Sequence, residues 1–519
     1  MKIMEDHEKA VAVVASQTRK FYETKAPFRV YHGSTNSTRR SQRRQDNTVD
    51  TSSLNRVLEV DTQRKTALVE PNVPMDALVE ATLTHGLIPL VVMEFPGITV
   101  GGGFSGTSGE SSSFRHGPFD SIVNWIEIVL PTGEIARASK TEKSDLFWGA
   151  ASAFGTLGVV TLLEVQLRDA KRYVELTYRH IKDFSEATAV LQAETSSGTT
   201  NDYVDGITFS TNSTLVCTGR LVDALPSGVT PQRFLRAHDP WFYVHAQRIE
   251  KRLQRNPGAV TDHIPLVDYL FRYDRGAFWT ARYAFRYFVT PFNRITRFLL
   301  NPLMHTRLMY RALHQSGLSD FYVVQDVGVP YPKAEEFARW LDDSLRLYPL
   351  WLCPLRLRRD TPDAGHGLHS EFADPDATPE TMLNFGVWGP VSFNRRECVR
   401  RNQELEGKVH ELGGKKWLYA HAYYTEEEFW AHYDRGSYDR LREKYGAGYL
   451  PSVYDKVKVD VDAEEAAMRA SWTAWLMAMV WMIWPLRGLY GVYKAVLGGD
   501  YLLQQRKRRE EEDLALKNR

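Results

Sequence analysis

A run of small residues between Glu94 and Asp120 carries the strongest chemical signal of the sequence. It reads "EFPGITVGGGFSGTSGESSSFRHGPFD", with six glycines between Gly97 and Gly109 and hydroxyl side chains behind them. Glycine lets backbone approach a ligand without a Cβ in the way, and successive N–H groups in such a loop can hold anionic oxygens. The pattern therefore predicts a loop that binds a phosphate-bearing ligand, with a nucleotide pyrophosphate as the natural candidate.

The spacing Gly101-x-Gly103-x-x-Gly106 matches the dinucleotide-binding fingerprint in its letters. That fingerprint requires a strand directly before it and an amphipathic helix directly after it. The residues that follow, "TSGESSSFRHGPFD", are too rich in glycine and serine for such a helix. The context therefore excludes a regular Rossmann site, and strand-like segments on both sides argue against a flexible linker.

Two further small-residue segments flank this stretch along the chain. Upstream, "VYHGSTNSTRR" (30–40) follows a possible strand, although by itself it could be a surface turn. Downstream, "SDLFWGAASAFGTLGVVT" (144–161) adds Gly155 and Gly158 before another strand-like run. Three such segments in this order are more specific than the glycine fingerprint alone.

The segments around these loops predict a mixed α+β unit over roughly the first 170 residues. "VLEVD" and "TALVEP" predict strands around a turn at 62–65, and apolar residues recur at helical spacing over 74–85. "NWIEIVLPTGEIARAS" predicts a hairpin, and "GVVTLLEVQL" predicts a further strand. The order is not a regular βαβ alternation.

The middle of the chain is less regular. Residues 265–310 combine aromatic and arginine side chains with almost no acids. Such a segment could form the wall of an apolar pocket, a membrane contact, or a helical core with solvated arginines. Composition alone does not distinguish between these interpretations. Residues 320–460 return to strand and helix patterns.

Bulk composition limits the class of protein. The chain of 519 residues is long enough for two or three domains, and its net charge of +1 gives no argument for nucleic-acid binding. The three cysteines (Cys217, Cys353 and Cys398) are too far apart in sequence for a CxxC pair or a disulfide framework, and we predict no metal site. The first residues lack the cationic start of a cleaved secretory signal, so none is expected.

An apolar segment near the C-terminus predicts membrane attachment. Residues 472–484, "WTAWLMAMVWMIW", carry no charge, and four tryptophans in the run suit a membrane interface. The segment from Leu476 to Leu497 reaches the roughly 20 residues of a spanning helix if Arg487 and Lys494 snorkel. Spanning and in-plane insertion both stay open, and the alternative is a buried C-terminal helix.

Together, the three small-residue segments resemble the FAD-binding loops of the vanillyl-alcohol-oxidase type flavoprotein superfamily. Within it the chain is most similar to the delta(24)-sterol reductase family, through "LEVD", "VEP", "GTSGESSS", "SDLF" and "GTLG". The second half adds "YPLWLCPLRL", "EEFWAHYD", "YDRLREKYG" and "VYDKV". The resemblance extends over residues 28–457 and is weakest between about 180 and 315.

The resemblance implies an α+β fold class with three parts. Residues 1–172 would form a PCMH-type FAD-binding domain of two α/β subdomains. Residues 173–460 would form a substrate or cap domain whose last segment returns to the FAD domain. Residues 461–519 would hold a C-terminal hydrophobic, membrane-associated helix and a charged tail.

The resemblance also implies FAD as the cofactor. The residues expected to bind FAD are His32, Gly33, Ser34, Thr35, Asn36, Ser37, Pro96, Gly97, Gly101, Gly102, Gly103, Gly106, Thr107, Ser108, Gly109, Glu110, Ser111, Ser112, Gly155 and Gly158, with Ser113 as a further candidate. His32 does not occupy the usual covalent-linkage position, and no cysteine lies near the second loop. We therefore expect noncovalent FAD.

The implied activity is reduction of the C24=C25 side-chain double bond of a sterol, with NADPH as hydride source. The implied location is a membrane, that of the endoplasmic reticulum, with the catalytic body facing the cytosol. An isolated alkene has no carbonyl to polarise it, so a positioned proton donor is required. Within "YAHAYYTEEEFWAHYD" we favour Tyr423 or His421 as that donor, because uncharged groups lose less hydration beside an apolar ligand. The other candidates there are Tyr424, Glu428, Tyr433 and Asp434.

Two alternatives stay open. The protein could be an FAD-dependent reductase, isomerase or oxidase that acts on another isoprenoid or secondary metabolite, which only a substrate assay would separate. It could also be a non-catalytic, flavin-binding, membrane-associated protein, although intact cofactor loops argue against this. The sequence does not indicate the oligomeric state.

Overall fold

The computed structural model describes residues 2–32, 45–469 and 483–498. Within these residues the chain forms two large antiparallel sheets and one parallel pair of short strands. Antiparallel pairing of strands that are interspersed with helices is typical of the α+β class. The predicted fold class is confirmed at this level.

The strands that the structure describes are, in chain order, β1 (Arg29–Tyr31), β2 (Thr48–Asp50), β3 (Val57–Asp61), β4 (Thr66–Val69), β5 (Leu87–Pro89), β6 (Val123–Val129), β7 (Ile135–Ser139), β8 (Val159–Asp169), β9 (Tyr173–Ile181), β10 (Tyr203–Ser210), β11 (Ser213–Val222), β12 (Ala259–Pro265), β13 (Tyr322–Val329), β14 (Leu350–Arg356), β15 (Thr381–Pro390) and β16 (Lys415–Lys416). The α-helices are α1 (Lys2–Thr24), α2 (Met75–Leu83), α3 (Val100–Gly106), α4 (Ser113–His116), α5 (Ser144–Ala150), α6 (Phe184–Glu194), α7 (Phe242–Arg255), α8 (Leu266–Leu270), α9 (Ala281–Tyr287), α10 (Arg294–Leu299), α11 (Thr306–Ser316), α12 (Tyr331–Ser344), α13 (Arg395–Glu411), α14 (Glu426–His432), α15 (Arg435–Lys444), α16 (Val453–Val457), α17 (Val461–Arg469) and α18 (Leu486–Gly498).

The first sheet is built by the N-terminal part of the chain. Its strand order is β3-β4-β8-β6-β7, and β5 also pairs with β8. Both predicted pairs are confirmed: β3 pairs with β4, and β6 pairs with β7 around Gly133, whose φ is +85°. The predicted helix over 74–85 is α2, and Gly86 follows its last turn with a φ of +71°, where a Cβ would be strained.

The glycine-rich stretch folds into helix α3 where we expected an open loop. Gly101, Gly102 and Gly103 lie inside α3, and the Thr99 side chain accepts a hydrogen bond from the Gly102 N–H at its start. Within residues 94–120, all of them described, Thr107 is the one non-glycine residue with positive φ, at 46°. The expectation of a loop is therefore wrong for residues 100–106. The four-residue α4 is too short for the helix that a Rossmann site requires, as predicted.

The second sheet is larger, with the strand order β12-β9-β11-β10-β14-β15-β13-β16. Its central strands β10, β14 and β15 are buried along almost their whole length. Because side chains alternate between faces, Leu352 and Phe385 point to one face, where they pack with apolar residues of α6, α12 and α13. The other face belongs to the same apolar core as the first sheet and carries the residues of the candidate site.

Residues 265–310 form short helices between the two sheets and the surface. Arg272 and Arg275 in this segment are each only 1 % exposed. The alternative of a helical core with solvated arginines is therefore wrong for these two side chains. Arg272 is paired with Asp205 at 2.9 Å, and Arg275 donates to the carbonyl oxygens of Phe234, Ala237 and Asp239.

Most of the predicted apolar C-terminal segment (470–482) and the tail (499–519) lie outside the described residues. The described part, helix α18, packs against α11, and its Arg487 donates to the carbonyl oxygens of Ser316 and Gly317. Among the helices in the described ranges, none combines the length and apolar character needed to cross a membrane.

Candidate active site

A cavity of about 1140 Å³ is lined by residues of both large sheets. Typical small-molecule pockets have volumes of roughly 300–1000 Å³, so this one has room for a cofactor and a second ligand. Its wall has three parts: segments rich in small residues, a group of buried acids and tyrosines, and an apolar, largely aromatic surface.

The first part contains seven of the residues predicted to bind FAD. They are His32, Gly101, Gly102, Ser108, Gly109, Gly155 and Gly158. The predicted residues Gly33, Ser34, Thr35, Asn36 and Ser37 lie outside the described residues. The segments that were far apart in sequence thus meet on one wall.

The three consecutive glycines of α3 have different surroundings. A Cβ on Gly101 would lie 2.7 Å from the Pro71 Cβ, and one on Gly103 would collide with Met93 Cε. A Cβ on Gly102 would meet only the Thr99 Oγ1, at 3.0 Å, and would otherwise extend into the cavity. Gly101 and Gly103 therefore allow α3 to pack closely against its neighbours. Gly102 has no side chain between its backbone and the cavity, so a bound cofactor could approach the backbone closely.

Positive charge lies at the same end of the cavity. Arg29 and Lys456 both line it, and Lys456 Nζ donates to the Phe154 carbonyl at 2.7 Å. Gly155 has a φ of +77°, and a Cβ there would lie 3.7 Å from the same Nζ. Cationic side chains beside uncovered backbone suit a pyrophosphate, which supports the fit to FAD. We missed both cations, although "VYDKV" was among the segments of the resemblance.

The remaining predicted cofactor residues contact protein. Ser111 O accepts from the Val204 N–H at 2.8 Å, Ser112 Oγ donates to the Leu90 carbonyl at 3.0 Å, and Ser113 Oγ accepts from the Glu110 N–H. The serine run thus joins the first sheet to β10. The predicted residues that are described but absent from the lining of this cavity are Pro96, Gly97, Gly103, Gly106, Thr107, Glu110, Ser111 and Ser112.

Glu110 belongs to a buried ionic network behind this wall. Its Oε1 lies 3.6 Å from Arg272 Nη1, and Arg272 Nη2 pairs with Asp205. Tyr273 OH and Trp351 Nε1 each donate to Asp205 Oδ2 at 3.1 Å. Burial raises the pKa of Glu110 to about 7, and Arg272 opposes the rise. The network ties the glycine-rich stretch to the second sheet.

The second part of the wall centres on Asp326 of β13. Asn384 Nδ2 and Trp388 Nε1 donate to its two carboxyl oxygens at 3.2 and 3.1 Å, and Tyr419 donates a third hydrogen bond. Burial raises the pKa of Asp326 to about 6, while these three donors limit the rise. Trp417 Nε1 donates to Asn384 Oδ1 at 2.8 Å and so orients the amide toward Asp326.

Strand register explains this arrangement. Asp326 pairs with Gly386 across the sheet, so Asn384 and Trp388 lie two positions away on the same face. A Cβ on Gly386 would collide with the Trp388 ring, which shows that the indole lies over this glycine. Glu94, Tyr310 and Tyr419 line the cavity together with Asp326. Sequence reasoning missed this group, because long-range pairing assembles it.

The predicted proton donors lie elsewhere. Tyr423 N–H donates to Glu406, and Lys416 Nζ donates to the His421 carbonyl and to Glu406. Among the described residues that line the cavity, neither Tyr423 nor His421 is present. Their catalytic role stays a prediction without geometric support.

The third part of the wall is apolar. It is formed largely by the 265–310 segment and α18, and its members include Phe278, Phe285, Leu303, Met304, Leu308 and Val492. Phe278 stacks on Tyr273 with ring centroids 3.8 Å apart. The pocket-wall interpretation of this segment is therefore confirmed. An elongated apolar ligand is the kind of molecule that this surface can hold.

Comparison with known proteins agrees with this geometry. Residues 7–139 match the family described as FAD binding domain. The chain is 31% identical over 413 residues to the Delta(24)-sterol reductase of Homo sapiens, which covers 77% of this chain and 76% of that protein. It is 30% identical over 456 residues to the Delta(24)-sterol reductase of Pisum sativum, with 81% and 78% covered. For the Delta(24)-sterol reductase homolog dhcr-24 of Caenorhabditis elegans the identity is 27% over 430 residues, with 79% and 78% covered.

The fold, the cavity and the domain match define an FAD-dependent oxidoreductase. The matched N-terminal part supplies much of its cofactor end, to which Gly155, Gly158 and Lys456 add, and later segments supply the apolar wall. The similarity extends well past the FAD-binding part, over 77% of the chain at 31% identity. The chain belongs to the delta(24)-sterol reductase family.

Proposed function

We propose that this protein reduces the C24=C25 side-chain double bond of a sterol, with FAD as cofactor and NADPH as the source of hydride. One observation carries the proposal: a single cavity joins the predicted cofactor loops to buried acids and an apolar wall. A sterol is long and apolar, and it needs both hydride and proton at one isolated bond. The names of the relatives agree with this substrate, and NADPH rests on the family resemblance.

FAD is held noncovalently in this proposal. Arg29 and Lys456, together with the uncovered backbone of Gly102, Gly155 and Gly158, would hold its phosphates at this end of the cavity. When bound and reduced, FAD supplies a hydride to the substrate. The predicted cofactor-binding residues 33–37 would add further contacts to FAD.

The domain boundaries predicted above form part of the proposal. Residues 1–172 supply the cofactor side, and residues 173–460 supply the second sheet and most of the apolar wall. The last segment of the second part returns to the first: Lys456 donates to Phe154, and Tyr438 OH donates to Thr156 Oγ1 at 2.7 Å. These contacts support a cap domain whose last segment packs against the FAD-binding part.

We further propose that a membrane surface delivers the substrate. Besides the predicted C-terminal segment (461–519), the described residues present an apolar face, which we define as Val289, Phe292, Ile295, Phe298, Leu299, Leu489, Tyr493, Val496 and Leu497. Several of these side chains are strongly exposed, for example Val289 at 74% and Ile295 at 71%. Trp484 Nε1 donates to the Tyr287 carbonyl at 2.7 Å and so joins α18 to the helical segment beside it.

Charge and continuity support a lipid bilayer as the occupant of the apolar face. Between Asp274 and Asp320 the sequence contains seven arginines and no acid, and the five that are not buried suit anionic lipid headgroups. Leu489 is 51% exposed and also lines the cavity, so the cavity reaches the surface beside this face. The membrane would be that of the endoplasmic reticulum, with the body of the protein on the cytosolic side.

An anaerobic titration tests the proposed function. The purified protein is mixed with NADPH while flavin absorbance is followed, and desmosterol is then added. We expect bleaching by NADPH and recovery on addition of desmosterol, with the saturated sterol as product. Bleaching without recovery would move the substrate to another isoprenoid, and a flavin that NADPH cannot bleach would favour an oxidase or isomerase.

A further inference from the structure

Glu94 occupies an unusual position for a carboxyl group. It precedes the Pro-Gly pair of the glycine-rich stretch, lines the cavity and is only 9% exposed. Within the described part of the chain no side chain donates a hydrogen bond to its carboxyl, and no cation lies within salt-bridge distance. A buried carboxyl is normally neutralised by a partner, so one that faces a ligand cavity with only its own backbone N–H as a donor requires an explanation.

The surroundings of Glu94 favour its neutral form. Burial is the largest cause that raises its pKa well above the ordinary range, and the charge of Glu110 is the second. Asp326 adds to the rise, and only Arg272 among the charged groups opposes it. The other titratable groups that interact with it are the phenols of Tyr310 and Tyr419 and the thiol of Cys353. These surroundings favour the carboxylic acid form of Glu94, which has an O–H to donate, over the carboxylate.

The other acids of the cavity are less suited to this role. Asp326 accepts three hydrogen bonds and, with a pKa of about 6, is mostly ionised at neutral pH. Burial raises the pKa of Tyr310 and that of Tyr419 above the ordinary phenol value of 10, and the Tyr419 hydroxyl donates a hydrogen bond to Asp326. Glu110 is paired with Arg272 and does not line the cavity. Of the two carboxyl groups that line the cavity within the described residues, Glu94 is the one to which no side chain donates a hydrogen bond.

We propose that Glu94 is the catalytic acid that donates the proton to the substrate double bond, an inference that rests on the proposed function. The alkene π electrons form the new C–H bond with this proton while the Glu94 O–H bond breaks. The hydride, with its electron pair, comes from reduced FAD and forms the C–H bond at the other alkene carbon. Glu94 is left as a carboxylate and regains its proton from water after the product leaves.

Tyr419 and Asp326 have a positioning role in this scheme. The Asp326 carboxylate is held by Asn384, Trp388 and Tyr419, so its negative charge stays fixed near Glu94. Together with burial and the charge of Glu110, which are the larger causes, that charge favours the protonated form of Glu94. A bound substrate that fills the apolar wall would exclude water, which would otherwise compete for the same proton.

The test separates the two half-reactions in Glu94→Gln. Glutamine keeps the size and polarity of the side chain but has no acidic proton. We expect the FAD content and the rate of flavin reduction by NADPH to stay within about 2-fold of wild type, and the rate of reoxidation by desmosterol to fall by about 100-fold or more. Glu94→Asp, which restores an acid on a shorter side chain, should recover part of that rate.

Two further readouts distinguish proton donation from a structural role. Reoxidation of the wild-type flavin should slow in D₂O and fall at high pH as Glu94 loses its proton. The residual rate of Glu94→Gln should show neither effect. A product formed in D₂O should carry deuterium at one of the two former alkene carbons.

The outcomes are distinct. Glu94→Gln that is reoxidised by desmosterol at the wild-type rate would overturn the role of Glu94 and leave the proposed function intact. Loss of FAD from both Glu94→Gln and Glu94→Asp would also overturn it, because the carboxyl would then be structural. Wild-type protein that desmosterol cannot reoxidise would instead overturn the sterol reductase function itself.

Discussion

Gly102 is the residue on which the cofactor interpretation can be tested most directly. Its Cβ position extends into the cavity, with only Thr99 Oγ1 nearby. Gly102→Val should therefore fold but bind FAD about 10- to 100-fold more weakly, since overpacking a fitted site costs roughly 1–3 kcal/mol. Flavin absorbance of the purified protein and equilibrium titration with FAD measure this.

Gly407 provides the matched control for Gly102. It also lies in a helix, α13, and a Cβ there would meet nothing within 4 Å. Gly407→Val should retain wild-type FAD binding and equal or higher helix stability. A fully flavinated Gly102→Val would contradict the assignment of this wall to the cofactor.

Individual site residues could be predicted from the sequence where the site needs a particular backbone property. They could not be predicted where strands distant in sequence bring them together. The glycines of 97–109 could be recognised because few other structures need so many residues without a Cβ. Asp326, Asn384 and Trp388 could not, because only the register of β13 and β15 brings them to one point. Glu94 has no local signal: a single glutamate before a Pro-Gly pair is ordinary until its burial is known.

One buried histidine links helix α1 to the first sheet, beside the apolar contacts of Val11 and Val14. His7 Nδ1 lies 2.9 Å from Glu70 and Nε2 lies 3.3 Å from Glu127. Burial lowers the pKa of His7, but the hydrogen bonds to Glu127 and Glu70 outweigh it and raise the pKa to about 9. The same contacts lower the pKa values of Glu70 and Glu127.

The pKa shift of His7 predicts a pH-dependent stability. Its folded pKa of about 9 exceeds its unfolded value, 6.5, so its contribution is complete below pH 6.5 and lost as pH rises through 9. The two glutamates lose their contribution as pH falls below about 4.5. His7→Gln should lower the free energy of unfolding by about 2 kcal/mol at pH 6 and by much less above pH 9.

Urea unfolding of wild type and His7→Gln at these two pH values checks the prediction. His85→Gln, at an exposed histidine, is the control and should cost the same small amount at both. An equal loss for His7→Gln at pH 6 and above pH 9 would mean that the charge of His7 does not hold α1.

Whether an element could be predicted depended on how local its signal was. The β3–β4 and β6–β7 pairs and α2 were predicted because apolar periodicity and turn residues mark them within a few positions. Helix α3 was missed because glycine has the second-lowest helix propensity, and burial against Pro71, Met93 and Phe119 overrides it. The order of the second sheet is set by contacts between distant segments, which no local pattern reports.

At the scale of the whole molecule, the proposed contact between the apolar face and a bilayer predicts an effect on vesicle binding. The double variant Ile295→Ser/Phe298→Ser in the full chain should bind vesicles containing anionic lipid about 10-fold or more weakly. Burial of each such side chain is worth roughly 1.5–3 kcal/mol, of which a membrane interface recovers a part. Co-sedimentation with vesicles measures the affinity.

Two exposed apolar residues of α1 provide the control for the membrane experiment. Ile3→Ser/Val13→Ser removes a similar apolar area from another element and should leave vesicle binding unchanged. If Ile295→Ser/Phe298→Ser binds as tightly as wild type, the C-terminal segment alone is the membrane contact and the apolar face is not.

The cavity is continuous from the cofactor loops to the apolar wall, and this continuity limits the order in which the two substrates can bind. If a nicotinamide donor and a sterol both reach the flavin through one chamber, the oxidised nicotinamide must leave before the sterol enters. The enzyme then alternates between two stable forms that differ by two electrons. Double-reciprocal plots for one substrate at several concentrations of the other would be parallel, and excess sterol would compete with NADPH for the oxidised form.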